Sequence, residues 1–249
     1  MKRSMFILNL RNSFNIRSIP IVLPNDMKSY SISDAFCWRN SKIYTTNFHF
    51  TDLINYFQNE KNTSVDLIIS NHKNQIINQT NITPSNFSEK IKIKDYLIDS
   101  KETSGHFFFF HNFRHPKRGK IIIRNSCYTS FSFMKNTPSF VHGNLPVIAR
   151  DHDNLIYEKN IIQNSNFRKY IYKVQHDFST YDKVEAFIIN PLKEELNLMI
   201  NKTSLKLNPY NSKILNLKLS KTYKIKSNCL FLRPIFFVYK NGNFDTFHG

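Results

Sequence analysis

Glycine and cysteine are scarce in this chain: its 249 residues include five glycines, nine prolines and three cysteines. The shortage of glycine and proline excludes collagen-like and low-complexity proteins, which are rich in both. Three scattered cysteines exclude a disulfide framework or a zinc ribbon, and their odd number is more typical of a reducing compartment. Hydrophobic residues still make up 41% of the chain and aromatic residues 14%, so we expect packed cores.

Long apolar runs are also missing. The stretch 229–239 is interrupted by Arg233 and Pro234, which leaves it too short for a membrane-spanning helix. The apolar stretch near residue 1 is interrupted by Asn9 and Arg11, and it is too brief for the hydrophobic part of a secretion signal. Together with the cysteine count, these absences predict a cytoplasmic protein without a transmembrane segment.

Acidic residues are few. The chain has 18 Asp and Glu against 35 Lys and Arg, which gives a formal net charge of +17. No acid occurs between Glu102 and Asp151, or between Glu195 and Asp245. A basic surface of this size favours a polyanionic partner such as an acidic glycan, nucleic acid or an anionic membrane. The alternative is that the lysines only keep exposed strands soluble and protect sheet edges.

Motifs for catalysis are absent as well. The sequence contains no Gly-x-Ser-x-Gly, no phosphate-binding glycine-rich loop and no His-Glu-x-x-His. No recognition signature for RNA or DNA accompanies the basic residues. These absences favour a non-catalytic protein with no cofactor and no metal, and they leave nucleic-acid binding without support from a motif.

What the sequence does contain is a pattern that occurs twice. Each copy has an apolar strand with Val and Asn at the same spacing, then an alternating strand, a Phe-rich strand, and a His-Gly pair near its end. We therefore predict an internal duplication of one structural unit. The paired segments are 65–71 with 184–190, 91–97 with 214–219, 131–136 with 236–241, and 140–143 with 247–249.

Short alternating strands separated by polar turns predict an all-β fold. We expect two tandem immunoglobulin-like antiparallel β-sandwiches, and the alternative is one double jelly-roll built from both repeats. The predicted parts are a basic N-terminal arm or edge strand over 1–30, a first sandwich over 31–150 and a second over 151–249.

Three local patterns refine this expectation. Alternation on both sides of Asn40-Ser41 predicts a β-hairpin over 31–50. Apolar residues close together in 52–59 predict a helical turn. The run 107–110 is apolar on both faces, which predicts a central strand covered on both sides.

The candidate ligand-binding residues combine charge with aromatic rings. A predicted hairpin tip concentrates positive charge, which suits an anion through Coulomb attraction and bidentate Arg contacts. Trp38 or Tyr128 would provide an apolar platform, although core packing is the default for the single Trp. The His-Gly pair places an imidazole at a strand end. The full predicted set is Trp38, Arg39, Arg114, His115, Lys117, Arg118, Arg124, Tyr128, His142 and Asn144.

Three other functions stay open at this point. A jelly-roll-type metal enzyme would use histidines from 106–115 with His142 and His152, although His106 and His111 should face opposite sides of their strand. Non-specific nucleic-acid binding would show a steep loss of affinity with salt. A pure assembly scaffold would pair its exposed strand edges with other subunits.

Overall fold

The computed structural model describes most of the chain, namely residues 23–24, 26–27, 29–58, 63–97, 100–112, 121–124, 127–134, 136–143, 145–151, 158–162, 169–229 and 232–249. Most of the predicted N-terminal arm therefore lies outside the described residues. No helix in the described part of the chain is long and apolar enough to cross a membrane.

The described residues form an almost entirely β structure, which confirms the predicted all-β class. An α-helix, α1 (Leu53–Gln58), lies where the helical turn was predicted, and 3₁₀ turns cover Ile93–Tyr96 and Phe178–Thr180. The strands are β1 Tyr30–Asp34, β2 Phe36–Arg39, β3 Tyr44–Thr51, β4 Ser64–Asn71, β5 Ile76–Ile82, β6 Ser88–Lys92, β7 Ser104–Asn112, β8 Ile122–Arg124, β9 Tyr128–Phe133, β10 Ser139–His142, β11 Pro146–Asp151, β12 Glu158–Asn160, β13 Tyr170–Val174, β14 Lys183–Ile189, β15 Leu196–Ile200, β16 Thr203–Leu207, β17 Ser212–Leu217, β18 Tyr223–Ser227, β19 Ile235–Lys240 and β20 Asn243–His248.

The strands assemble into five four-stranded sheets. The first unit contains the sheets β2-β7-β4-β5 and β10-β9-β3-β6, and the second unit contains β13-β18-β15-β16 and β20-β19-β14-β17. We call the fifth sheet, β12-β11-β1-β8, the linking sheet. Its β1–β8 pair is parallel, whereas its other pairs are antiparallel.

The two units share one strand order. The first unit consists of β2–β7, β9 and β10, and the second of β13–β20. If the eight strands of each unit are numbered 1 to 8 along the chain, both units have the sheet orders 1-6-3-4 and 8-7-2-5. β9 and β19 are equivalent on this count, as are β10 and β20, in agreement with the predicted repeat. The pairing of 65–71 with 184–190 was wrong by one strand, because β14 is equivalent to β3 and not to β4.

Each unit has an aromatic core between its two sheets. In the first unit, Phe36 and Phe107 from one sheet pack on Phe48 from the other, with ring centroids 4.8 and 5.0 Å from the Phe48 centroid. In the second unit, Tyr223 and Phe236 stack at 5.8 Å across the sheets. β7 is buried at every position except its last, which confirms the central strand predicted for 107–110.

The predicted hairpin over 31–50 was wrong. β2 pairs with β7 in one sheet, whereas β3 pairs with β6 and β9 in the opposite sheet. Alternation in sequence shows that both segments are strands but does not show which strands they pair with. Beyond Ala35, the edge of β7 is completed by β1, whose Ser33 and Ser31 hydroxyls accept hydrogen bonds from the amides of Phe109 and His111 at 2.7 and 2.9 Å.

Candidate binding surface

The predicted charged loop cannot be placed, because Arg114, His115, Lys117, Arg118 and Asn144 lie outside the described residues. The remaining predicted residues, Trp38, Arg39, Arg124, Tyr128 and His142, are described and fall into two groups. Trp38 and Arg39 lie inside the protein, whereas the other three lie close together at the surface.

Trp38 is fully buried and is not available to a ligand at the surface. Its indole Nε1 donates a hydrogen bond to the carbonyl of Ser70 at 2.9 Å. The ring fits because Gly105 lies beside it: a Cβ at Gly105 would lie 2.9 Å from Nε1 and 2.2 Å from the Ser70 carbonyl oxygen. Trp38 therefore packs in the core, which is the default expectation for a single Trp. Alternation in the sequence places Trp38 on one face of its strand but does not show that other residues cover that face.

Arg39 lies at the junction between the two units. Its Nη1 donates to Glu185 Oε2 at 2.6 Å and to the Tyr239 hydroxyl at 3.1 Å, and its guanidinium lies 3.9 Å from the Tyr44 ring centroid. Burial alone would raise the pKa of Glu185, but the attraction of Arg39 and hydrogen bonds from Lys183, Tyr239 and Arg39 outweigh it, so the pKa is lowered. This cluster joins the two units, and the Arg39 guanidinium is engaged by Glu185 and Tyr239.

Arg124 forms a bidentate ion pair with Asp34, with Nε–Oδ1 and Nη2–Oδ2 distances of 2.8 and 2.9 Å. Gly143 packs against the same carboxylate, since a Cβ at this position would lie 2.5 Å from Asp34 Cβ. The Gly of this His-Gly pair is thus required by close packing and not by a positive φ, which among the described glycines occurs only at Gly242. Arg124 therefore lies beside the end of β10, next to His142.

Tyr128 and His142 form the centre of an exposed surface on the first unit. They are directly paired across β9 and β10, and their ring centroids lie 4.3 Å apart. Tyr128 is 41% exposed, and His142 is exposed as well. The sequence predicted both residues, and the structure brings them into contact.

Two rows of side chains extend this contact across the outer face of the sheet β10-β9-β3-β6. The register aligns His142, Tyr128, His49 and Lys90 in one row, and Phe140, Ser130, Asn47 and Lys92 in the next. Phe140 is 53% exposed, and its ring centroid lies 5.7 Å from that of His49, whose Nε2 lies 3.0 Å from Ser130 Oγ. We call the exposed members of these rows, together with the half-buried His49, the sheet-face platform; they are His49, Lys90, Lys92, Tyr128, Phe140 and His142.

The platform has an unbalanced charge. Among the described residues of its four strands, this face carries no carboxylate, because Glu89 pairs with Phe50 and belongs to the opposite face. Lys90 and Lys92 are both exposed, whereas burial and the nearby Lys90 lower the pKa of His49. The surface thus offers aromatic rings, positive charge and hydroxyl groups with no acid among them, and it suits an anion that has apolar faces.

Four members of the platform were not predicted from the sequence, namely His49, Lys90, Lys92 and Phe140. The available signal is parity, because Thr45, Asn47 and His49 alternate along β3 and share one of its faces. Parity does not show which strands lie beside β3. The platform forms only because β9 and β6 flank β3 in the sheet.

A second polar group of interest is a buried hydrogen-bonded chain at the junction. Ser212 Oγ lies 3.1 Å from His106 Nδ1 and 3.2 Å from His72 Nδ1, and His106 Nε2 lies 3.0 Å from Asn74 Oδ1. Burial lowers the pKa of both histidines, that of His106 to about 3, so both rings are neutral at pH 7. One assignment satisfies every contact: His106 Nε2 donates to Asn74, Ser212 donates to His106, and His72 Nδ1 donates to Ser212.

These histidines do not converge on a metal. Among the described residues, no three His, Cys, Asp or Glu side chains lie close enough together to hold a metal ion. His106 and His111 face opposite sides of β7, as their spacing predicts, since His106 contacts Ser212 whereas the His111 ring packs on Phe109. His115 and His152 lie outside the described residues. No protein-family model matches the chain, and comparison with curated proteins finds no significant similarity.

Proposed function

We propose that the chain is a non-catalytic binding protein that recognises an acidic glycan, or a related polyanion, through the sheet-face platform. The observation that carries the proposal is the exposed aromatic and basic face of β10-β9-β3-β6, on which the described strands place no carboxylate. The net charge of +17 supplies long-range attraction for such a partner.

The chemistry of the platform matches the parts of an acidic sugar chain. Tyr128 and Phe140 present rings on which the C–H face of a pyranose can pack. Lys90 and Lys92 lie one strand beyond His49, where they can pair with carboxylate or sulfate groups. Because the side chains are mounted on paired strands, their positions are largely fixed before binding, which lowers the entropy cost of recognition.

The loop residues Arg114, His115, Lys117 and Arg118 remain predicted contributors of charge. Neutralising Arg114, Lys117 and Arg118 together should weaken binding while leaving the melting temperature intact. Unchanged affinity in this triple variant would remove the loop from the proposal and leave the platform alone to explain binding.

The main test is binding of heparin, hyaluronan and single-stranded DNA at physiological salt. We expect one glycan class to be retained selectively, and Tyr128→Ala with Phe140→Ala to weaken that binding by about tenfold or more, which corresponds to about 1.4 kcal/mol. Lys90→Ala with Lys92→Ala should weaken it too. The matched control is Lys173→Ala with Lys224→Ala, which removes the same charge from an exposed pair on the second unit.

Two results would contradict the proposal. If the Lys90/Lys92 and Lys173/Lys224 variants lose affinity equally, the attraction is generic electrostatics and the platform is not a site. If DNA and both glycans bind alike and fade together as salt rises, the partner is any polyanion and sugar chemistry plays no part.

A further inference from the structure

A cleft of about 410 Å³ lies between the linking sheet, the outer face of β2-β7-β4-β5 and two loops of the second unit. It is separate from the platform, which belongs to the other sheet of the first unit. Its volume is in the range of small-molecule sites, and junctions between structural units are common places for such sites. The second unit contributes Lys193 and Tyr210 to its wall.

The floor of the cleft is apolar. Ile68, Phe108 and Ile148 line it, and Ile76 stands at its edge with 60% of its surface exposed. Ile76 therefore presents a large apolar side chain at the cleft, where a ligand with an apolar face can cover it.

The polar wall of the cleft is built around Arg150, which is 5% exposed. Its guanidinium lies 4.0 Å from the Phe110 ring centroid, and its Nη1 donates to Asp66 Oδ2 at 2.9 Å. Its Nε and Nη2 both donate to Glu158 Oε1, at 2.9 and 2.5 Å. Arg150 thus lies between two carboxylates. If Asp66, which pairs with Arg150 from behind the lining, is counted with Glu158, the two carboxylates balance the charges of Arg150 and Lys193. This site has no preference for a polyanion.

Tyr210 is held in the cleft by an unusual backbone conformation. The Asn211 amide donates to the Asn208 carbonyl at 3.1 Å, and Pro209 and Tyr210 are the central residues of this turn. Tyr210 has a φ of 57°, at the position of a type II turn that normally takes glycine. A tyrosine there is strained, and such strain occurs preferentially at ligand sites. Asn74, which also lines the cleft, has a φ of 59°.

We infer that this cleft binds a neutral sugar, as a mono- or disaccharide. Each sugar hydroxyl both donates and accepts a hydrogen bond. The wall places the Glu158 carboxylate and the Asn160 side chain beside the Arg150 guanidinium, whose five N–H groups exceed the three that donate to Asp66 and Glu158. The apolar floor and the Tyr210 ring match the C–H faces of a pyranose. Balanced charge separates this ligand from the acidic glycan proposed for the platform.

The experiment is saturation-transfer NMR of the full chain with glucose, galactose, mannose and N-acetylglucosamine at millimolar concentration. We expect transfer to the ring protons of at least one sugar, and a loss of affinity of about tenfold or more in Tyr210→Gly. Glycine relieves the positive φ, so this variant should stay folded. Ile76→Trp, at an exposed position, fills the mouth of the cleft and should abolish the signal without unfolding the protein.

The cross-control uses the platform. Tyr128→Ala should leave sugar transfer at the wild-type level, and Tyr210→Gly should leave heparin binding unchanged, so failure of one site is distinguishable from failure of the other. Absence of transfer to all four sugars would overturn the inference. Transfer that survives in both Tyr210→Gly and Ile76→Trp would overturn it as well, because the sugar would then bind elsewhere.

Discussion

In the first unit the outer face of β10-β9-β3-β6 is exposed, whereas the equivalent face of β20-β19-β14-β17 in the second unit is buried against the first. Tyr128 and Phe140 are 41% and 53% exposed, but Phe187 and Phe237 on the second face are fully buried. Phe237 lies 5.1 Å from Phe131 of the first unit, measured between ring centroids. The same framework thus serves assembly in one copy and leaves a free surface in the other.

Side-chain chemistry explains the difference. The buried face carries Glu185, whose charge is balanced by Arg39 from the first unit, and rings that complete a core with Phe131 and Phe133. The exposed face carries lysines and histidines with no carboxylate on its described strands, and burying it would leave those charges without partners. A search for binding activity should therefore begin with the first unit.

The largest expected effect on stability comes from disrupting the buried outer face of the second unit. Phe237→Ala should destabilise the protein by roughly 3–5 kcal/mol, because it removes a fully buried ring and leaves a cavity between the units. Urea unfolding followed by intrinsic fluorescence measures the change. A cost below about 1 kcal/mol would show that the second face does not depend on the first unit for its burial.

Some buried strands could be predicted from the sequence alone. The Phe run of β7 and the apolar β14 were recognisable as buried strands, since an apolar residue at nearly every position implies cover on both sides. Tyr128 was predicted as a binding residue from its aromatic ring and His142 from its place at a strand end, and the structure brings the two rings into contact. Alternation does not specify partners, and therefore β2 and β3 were wrongly paired with each other.

The platform was only partly predictable for the same reason. His49 and Lys90 face each other across β3 and β6, but they become part of one surface with Tyr128 only through strand pairing between distant segments. The cleft was not predictable at all, because its wall combines Arg150 of the linking sheet with Tyr210 of the second unit. Long-range pairing depends on packing of the whole chain, which local patterns do not encode.

The next effect is expected from acid, and its largest part comes from two histidines outside the platform. Burial lowers the pKa of His106 to about 3 and that of His248 to about 4. Between these values and about 6.5, the unfolded chain binds more protons than the folded one, so stability falls as the pH falls below about 6.5. Each of the two histidines contributes a slope of up to about 1.4 kcal/mol per pH unit.

Charged and titratable groups lie close to both histidines. His106 faces His72, which lies near Glu102, Arg39 and Lys213, and His248 lies near Arg233 and His142. Urea unfolding at roughly pH 7.5, 6.0 and 5.0, values that cross the upper end of the window, should show the loss, with heparin binding by the folded protein as a separate readout. His106→Gln should be less stable at neutral pH but should have a shallower slope. An unchanged slope in this variant would show that His106 is not held neutral by the fold.

The smallest expected effect is the most informative for the comparison. Tyr128 occupies β9 as Phe237 occupies the equivalent strand β19, and both side chains lie on the outer face of their sheets. Tyr128→Ala should change the free energy of unfolding by no more than about 0.5 kcal/mol, because the ring is exposed and closes no cavity. The same variant should lose affinity for the retained glycan. A large loss of stability at Tyr128 would show that something covers the platform in solution, and the free face would then be a second interface.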